Sequence, residues 1–296
     1  MKINVFEPIG ICDGVNRALS RVMEIKIANA DKNIYLFGPI IHNEKIEDLF
    51  KSFNINIVKL KGLNFETRKM IISSYSKDDV VIFQAHGTLD LYKDILDKNG
   101  VKYYDLICHV IKANKKLISN SIEKEKREVI FVGKKSHEET ISIMDSSSKK
   151  LYLYDIKDGF INGQEPKSND VDIYFQTSLS IEDYNYFSNF FKEKYKNVLI
   201  KGDICKKIRE RQEKIINDNL TNPGMVIIVG SETSSNTNEL YKIASKKYKN
   251  ATVKIVNNVK EMENFDFKDT KEINVLSGTS ALDETINEIV QFLKTK

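Results

Sequence analysis

Short apolar runs, each closed by glycine, recur along the 296-residue chain at nearly equal intervals. NIYLFG ends at Gly38, EVIFVG at Gly133 and MVIIVG at Gly230. Runs this short and rich in β-branched residues predict buried strands. Four residues beyond each glycine stands a polar side chain: His42, His137 and Ser234. A second set of apolar runs, VVIFQAHG, VDIYFQTS and INVLSGTS, leads into small polar loops carrying His86, Thr177 and Ser280. The stretches between, Asn43–Ser52, Glu139–Ser147 and Asn238–Tyr248, carry helix formers. Strand, loop, helix and strand in that order predict βαβ units and mainly parallel sheets.

The three cysteines share this period. Cys12 and Cys108 are 96 residues apart and Cys108 and Cys205 are 97 apart, each 25 or 26 residues before its glycine-closed run. One period on three kinds of feature predicts an α/β chain of three pseudo-repeated modules, each of about a hundred residues. Their expected bounds are 1–108, 109–204 and 205–296, with Cys108 at a junction. Open α/β sheets bind ligands at the carboxyl ends of their strands, where His42, His86, His137, Thr177, Ser234 and Ser280 fall. Modules around a pseudo-threefold axis would aim these loops, and one cysteine each, at a shared central cavity.

Composition narrows the class. With 41% apolar and 30% charged residues the chain is neither disordered nor a membrane protein. Its longest unbroken apolar run, Met225 to Val229, is too short for a transmembrane helix, and Glu7 and Asp13 interrupt any signal peptide. A cytoplasmic protein is expected. The net charge of +4 comes from 46 basic residues, only six of them Arg, interleaved with acids. No clustered stripe suited to nucleic acid results.

An odd number of cysteines without C-x-x-C spacing is neither a disulfide framework nor a zinc knuckle. Isolated cysteines are ordinarily small buried hydrophobes, but equal spacing favours a common site. Three convergent thiolates suit a soft metal centre. Zinc would want a fourth ligand such as a nearby His, whereas an iron–sulfur cube would keep one iron open to a substrate oxygen. Loops of hydroxyls, amides and imidazoles suit an anion such as a phosphate or diphosphate. Neither common nucleotide phosphate loop occurs.

Nine motifs in order give the chain a resemblance to the 4-hydroxy-3-methylbut-2-enyl diphosphate reductase family of the non-mevalonate isoprenoid pathway. They are GICDGVNRAL around Cys12, GPIIHN around His42, AHG at His86, D-x-x-C at Asp105–Cys108, and H-x-E at His137–Glu139. QTSLS at Thr177, DICKKIRERQ around Cys205, GSETSSNTNEL around Ser234 and SGTSA at Ser280 complete the series. The resemblance implies a [4Fe–4S] cluster on Cys12, Cys108 and Cys205, with an open iron for the substrate's allylic oxygen. Two electrons and two protons expel that oxygen as water, giving isopentenyl and dimethylallyl diphosphates. It further implies that His42, His86, His137, Ser234, Ser235, Asn236 and Ser280 bind the diphosphate, that Thr177 lies near the hydroxyl, and that Glu139 relays protons. An external electron donor of ferredoxin or flavodoxin type is implied with them. The chain departs from the family pattern at Gln84, Ile107, His109, Glu138 and Leu282, all beside matching ligands rather than on them.

Two rival readings remain: another three-cysteine iron–sulfur enzyme such as a hydrolyase, and a non-enzymatic protein that binds a phosphorylated ligand. One local expectation separates Glu138 from Glu139. If the segment is extended, His137 and Glu139 share one side and Glu138 faces the other, whereas the alternative makes both glutamates the solvated start of a helix.

Overall fold

The structure is a computed structural model that describes residues 1–145 and 148–296. The α/β fold read from the sequence is the fold observed. Three sheets follow one another, and all their pairings are parallel except one hairpin. The first runs Ile55–Val58, Asn33–Phe37, Asp79–Phe83, Lys102–Asp105. The second runs Asn197–Ile200, Asp170–Phe175, Glu128–Gly133, Leu151–Asp155, with Gly159–Phe160 added antiparallel at its edge. The third runs Lys2–Val5, Glu272–Ser277, Met225–Val229, Thr252–Val256.

The glycine-closed runs are the inner strands of these sheets. Met225–Val229 and Asp79–Phe83 are buried at every position. Successive residues of an inner strand enter cores on opposite faces: Val80 and Ile82 on one side, Val81 and Phe83 on the other. Ile227 and Val229 part from Val226 and Ile228 in the same way. A strand covered by helices on both faces reads as a continuous apolar run, which is why these were legible. Gly133 and Gly230 close two of them for a steric reason. A Cβ there would meet Thr140 Oγ1 at 2.8 Å and Thr237 Oγ1 at 2.6 Å, because the next helix turns back against the strand end.

The strand Lys2–Val5, which opens the expected first module of 1–108, pairs instead with Glu272–Ser277 in the third sheet. The edge strand of each sheet therefore leads into the next cysteine. Lys102–Asp105 of the first sheet precedes Cys108, and Asn197–Ile200 of the second precedes Cys205. Lys2–Val5 of the third sheet precedes Cys12 and closes the series. All three cysteines thus stand where one sheet hands over to the next, not Cys108 alone. Of the expected helical stretch Glu139–Ser147, the helix Glu138–Met144 is observed, and Ser146 and Ser147 lie outside the described residues.

Candidate active site and metal centre

Each cysteine caps the amino end of the helix that follows it. Cys12, Cys108 and Cys205 are the N-cap residues of Asp13–Ala28, His109–Glu123 and Lys206–Ile216, with ψ of 159°, 135° and 130°. The Cys12 sulfur accepts the Val15 N–H at 3.5 Å. Amides of Val110 and Ile111 face the Cys108 sulfur, and those of Lys207 and Ile208 face Cys205. The loops repeat as well: the Cys108 N–H donates to the Ala85 carbonyl and the Cys205 N–H to the Thr177 carbonyl, each at 2.8 Å. All three thiols are free and partly exposed.

The sulfurs converge. A Cβ built on Gly14 would lie 3.7 Å from both Cys12 and Cys108 sulfurs, so these two stand within twice that distance. Burial raises the Cys108 and Cys205 thiols above their ordinary value, and the facing charge of Cys12 adds to each. Among the described residues no three His, Cys, Asp or Glu side chains are placed to hold a single metal ion. Three neighbouring thiols are the donor set that a soft metal centre takes.

Around the thiols stands a ring of polar groups. The His86 and His137 rings pack edge to face with centroids 5.3 Å apart. His42 is close enough that its charge acts on both. Burial holds all three imidazoles below their ordinary range, His86 to about 4 and His137 well down, while each keeps part of its surface open. Asn43, next to His42, donates to the Ser280 carbonyl at 3.3 Å and so joins the first module's loop to the third's.

The helix Ser235–Lys247 supplies the opposite side. Ser234 caps it, accepting the Thr237 N–H at 3.4 Å. The Ser235 hydroxyl meets Ser178 at 3.2 Å and the Lys134 ammonium at 3.3 Å. Among the described residues, the Oδ1 of Asn236 and the Oγ of Ser280 are buried with no hydrogen-bond partner. Buried polar atoms are normally satisfied, so such orphans point to a ligand. The helices at Cys108, Cys205 and Ser234 carry no acid in their first turn, whereas most others do. A helix N-terminus favours negative charge, and these three leave that role open to a bound anion.

Glu139 joins the two halves. It is fully buried, and its carboxylate accepts the Thr177 N–H at 2.9 Å and the Thr177 hydroxyl at 2.7 Å. Burial lifts its carboxyl to about 7 despite both bonds, and its charge is felt at Cys205. Glu138 faces the other way, in a two-bonded pair with Arg68 at 2.9 Å. The expected separation of the two glutamates is present for a different reason. The extended segment stops at His137, which caps the helix and accepts the Glu139 N–H at 3.2 Å. Within the helix, 3.6 residues per turn then swing the two carboxylates apart.

Sequence reasoning missed several residues here. Ser178 stands three residues past the strand Asp170–Phe175, as His86 and Ser280 stand past theirs. Counting from strand ends rather than from cysteines would have found it beside Thr177. Lys134 is masked in the sequence by the adjacent Lys135. Of the departures from the family pattern, Gln84 is buried with its Oε1 3.2 Å from His86 Nδ1, and Ile107 packs beside Cys108. His109 is exposed with its Nδ1 3.2 Å from Arg17. Leu282 caps the last helix, Asp283–Lys294, without a side-chain bond.

A profile of the LytB protein family matches residues 3–294. The chain belongs to the LytB family. Its curated relatives include the 4-hydroxy-3-methylbut-2-enyl diphosphate reductases of Dictyoglomus thermophilum, 25% identical over 100% of this chain and 97% of the relative, and of Malacoplasma penetrans, 28% identical over 100% and 98%. The family read from the nine motifs is thus the one found. Two solved structures share the fold of this LytB chain. The Plasmodium falciparum E-1-hydroxy-2-methyl-but-2-enyl-4-diphosphate reductase superposes with a TM-score of 0.81, at 21% identity over 99% of this chain and 88% of that one. A second (E)-4-hydroxy-3-methyl-but-2-enyl diphosphate reductase gives 0.66 at 24% identity over the whole of both chains. Among the described residues no helix is long and apolar enough to cross a membrane.

Proposed function

We propose that the chain reduces 4-hydroxy-3-methylbut-2-enyl diphosphate to isopentenyl and dimethylallyl diphosphates. The supporting observation is one continuous arrangement: three converging thiols, a buried carboxyl with a pKa of about 7 beside Cys205, and a ring of imidazoles and orphaned polar atoms. Cys12, Cys108 and Cys205 would hold a [4Fe–4S] cluster, which when bound supplies single electrons and an iron open as a Lewis acid. Each sulfur rests at a helix N-terminus, where amides and dipole favour anionic ligands.

The protein's own residues do the rest. His42, His86, His137, Ser234, Ser235, Asn236 and Ser280 take the diphosphate, with Ser178 and Lys134 beside Ser235. Glu139 holds a proton near neutral pH, and the Thr177 hydroxyl at 2.7 Å passes it toward the substrate oxygen. Loss of the hydroxyl as water consumes two electrons and two protons. The electrons come from an external carrier of ferredoxin or flavodoxin type in a reducing, cytoplasmic setting. Anaerobically reconstituted protein should convert the allylic diphosphate to both products only with a reductant. Water loss without reductant would instead mark a hydrolyase, and binding without conversion a carrier of phosphorylated ligands.

Single removals from the ring should weaken binding and spare the cluster. His42→Ala, His86→Ala and Asn236→Ala are each expected to cost about 1.5–3 kcal/mol of diphosphate affinity, the range for hydrogen bonds to charged groups. Calorimetric titration with substrate and inorganic diphosphate checks this; unchanged affinity across the set would place the anion elsewhere.

Binding should also take up protons. The free imidazoles are neutral at pH 7 because burial lowers them, His86 to about 4. A bound anion favours imidazolium, so each pKa is higher in the complex than in the free protein. Affinity then rises as pH falls between the bound and free values. Calorimetry in buffers of different ionisation enthalpy should show proton uptake on diphosphate binding that shrinks in His86→Ala; equal uptake in both proteins would contradict it.

A further inference from the structure

Arg211 is a buried charge for which the reaction above has no use. It is 5% exposed, on the helix Lys206–Ile216, six residues beyond Cys205. Its Nη2 donates to the Gly10 carbonyl at 2.6 Å and its Nη1 to the Lys207 carbonyl at 3.2 Å, while Nε is buried with no partner among the described residues. Among the described residues no carboxylate forms an ion pair with it. A buried guanidinium without a counter-ion is costly unless something negative offsets it. The charge that acts on it most strongly is Cys12, followed by Cys205.

Its main bond falls on a backbone held from three sides. Gly10 has φ of +75°, and its N–H donates to Ser277 Oγ at 2.9 Å. A Cβ there would lie 1.5 Å from Asp283 Oδ1, so the turn is pressed against the third module. Arg211 holds the remaining group, the carbonyl, and Cys12 follows two residues later. The Arg211 bonds fall on Gly10 and Lys207, beside Cys12 and Cys205, while the Cys108 N–H bonds to the Ala85 carbonyl at 2.8 Å.

We propose that Arg211 is a positioning residue for the metal centre: it clasps the Gly10 turn to the Cys205 helix, fixing Cys12 relative to Cys205, and supplies the buried positive charge that offsets the thiolates and their cluster. The idea rests on the cluster reading for its second half only. An opposite charge placed beside a redox group favours its more reduced, more negative form, so Arg211 raises the cluster's reduction potential. Arg is suited to the task because it stays charged when buried and binds through a fixed fork.

The test compares Arg211→Met and Arg211→Lys with the unaltered protein in two measurements. In the metal-free protein, amide hydrogen exchange is followed at Gly10 and Asn16, whose N–H groups bond to Ser277 and to the Cys12 carbonyl. Lys112, bonded in the same way to the Cys108 carbonyl, is the control. Arg211→Met should exchange about tenfold or more faster at Gly10 and Asn16, with Lys112 unchanged. Equal acceleration at all three would mean general loosening and would overturn the clasp, as would no acceleration. In the reconstituted protein, potentiometry should find a lower potential in Arg211→Met and one near the original in Arg211→Lys. Equal potentials in all three would overturn the counter-charge. Should the unaltered protein take up no iron and sulfide, the cluster reading falls and the counter-charge with it, while the exchange result still decides the clasp.

Discussion

Glu139→Gln should keep the cluster and bind the diphosphate, yet turn over at least about a hundredfold more slowly, the lower end of what a positioned proton donor contributes. Glutamine preserves the shape and can still accept from Thr177, but it cannot pass a proton. Glu138→Gln should stay near the unaltered rate, because Glu138 points to Arg68 and away from Thr177. The pH profile carries the same signature. With a carboxyl pKa of about 7, the proton is present below neutrality and lost above it, so turnover should fall as pH rises through that value.

Stability should move in step. The folded carboxyl titrates higher than the unfolded one, at about 7 against 4.5. Its burial therefore costs nothing well below 4.5 and its full amount above 7. From pH 5 to 8, Glu139→Gln should gain on the unaltered protein by up to about 3 kcal/mol in denaturant unfolding. Equal, small rate effects for both glutamates would reduce them to helix-start acids, and a collapse confined to Glu138→Gln would identify the wrong carboxylate.

Changing any one of Cys12, Cys108 or Cys205 to Ser should remove cluster and turnover together. A hydroxyl is a harder ligand than a thiolate and holds an iron–sulfur centre poorly. No fourth protein thiol exists to compensate, since the sequence has only these three. The sulfurs come from three sheet junctions, so a cluster binding the folded protein also stabilises it by linkage. Each Ser variant should therefore lose most of the rise in Tm that the unaltered protein shows on anaerobic reconstitution. Full iron content and normal turnover in all three Ser variants would mean the wrong ligands were chosen.

Much of this arrangement was legible because it repeats. Strands covered on both faces, such as Met225–Val229, read as unbroken apolar runs, and the polar loops at their ends hold the imidazoles and hydroxyls described above. What was not legible depends on long-range or three-dimensional terms. Lys2–Val5 is four residues long, and its partner Glu272–Ser277 lies 270 positions away, so no local pattern signals the pairing. The helix that Glu138 opens is only seven residues long, too short for a clear period to mark where the extended segment ends. Arg211 lies in a run of charged residues on the helix Lys206–Ile216, and only its burial and the Gly10 bond distinguish it. Ser178 was overlooked because the module period drifts by several residues between cysteine and loop.

One measurement bears most directly on the site: iron and acid-labile sulfide per chain in protein purified or reconstituted without oxygen. If the three converging thiols hold the proposed cluster, the protein should be brown, with about four irons and about four sulfides per chain. A colourless protein with neither, or one metal ion per chain with no sulfide, would contradict it.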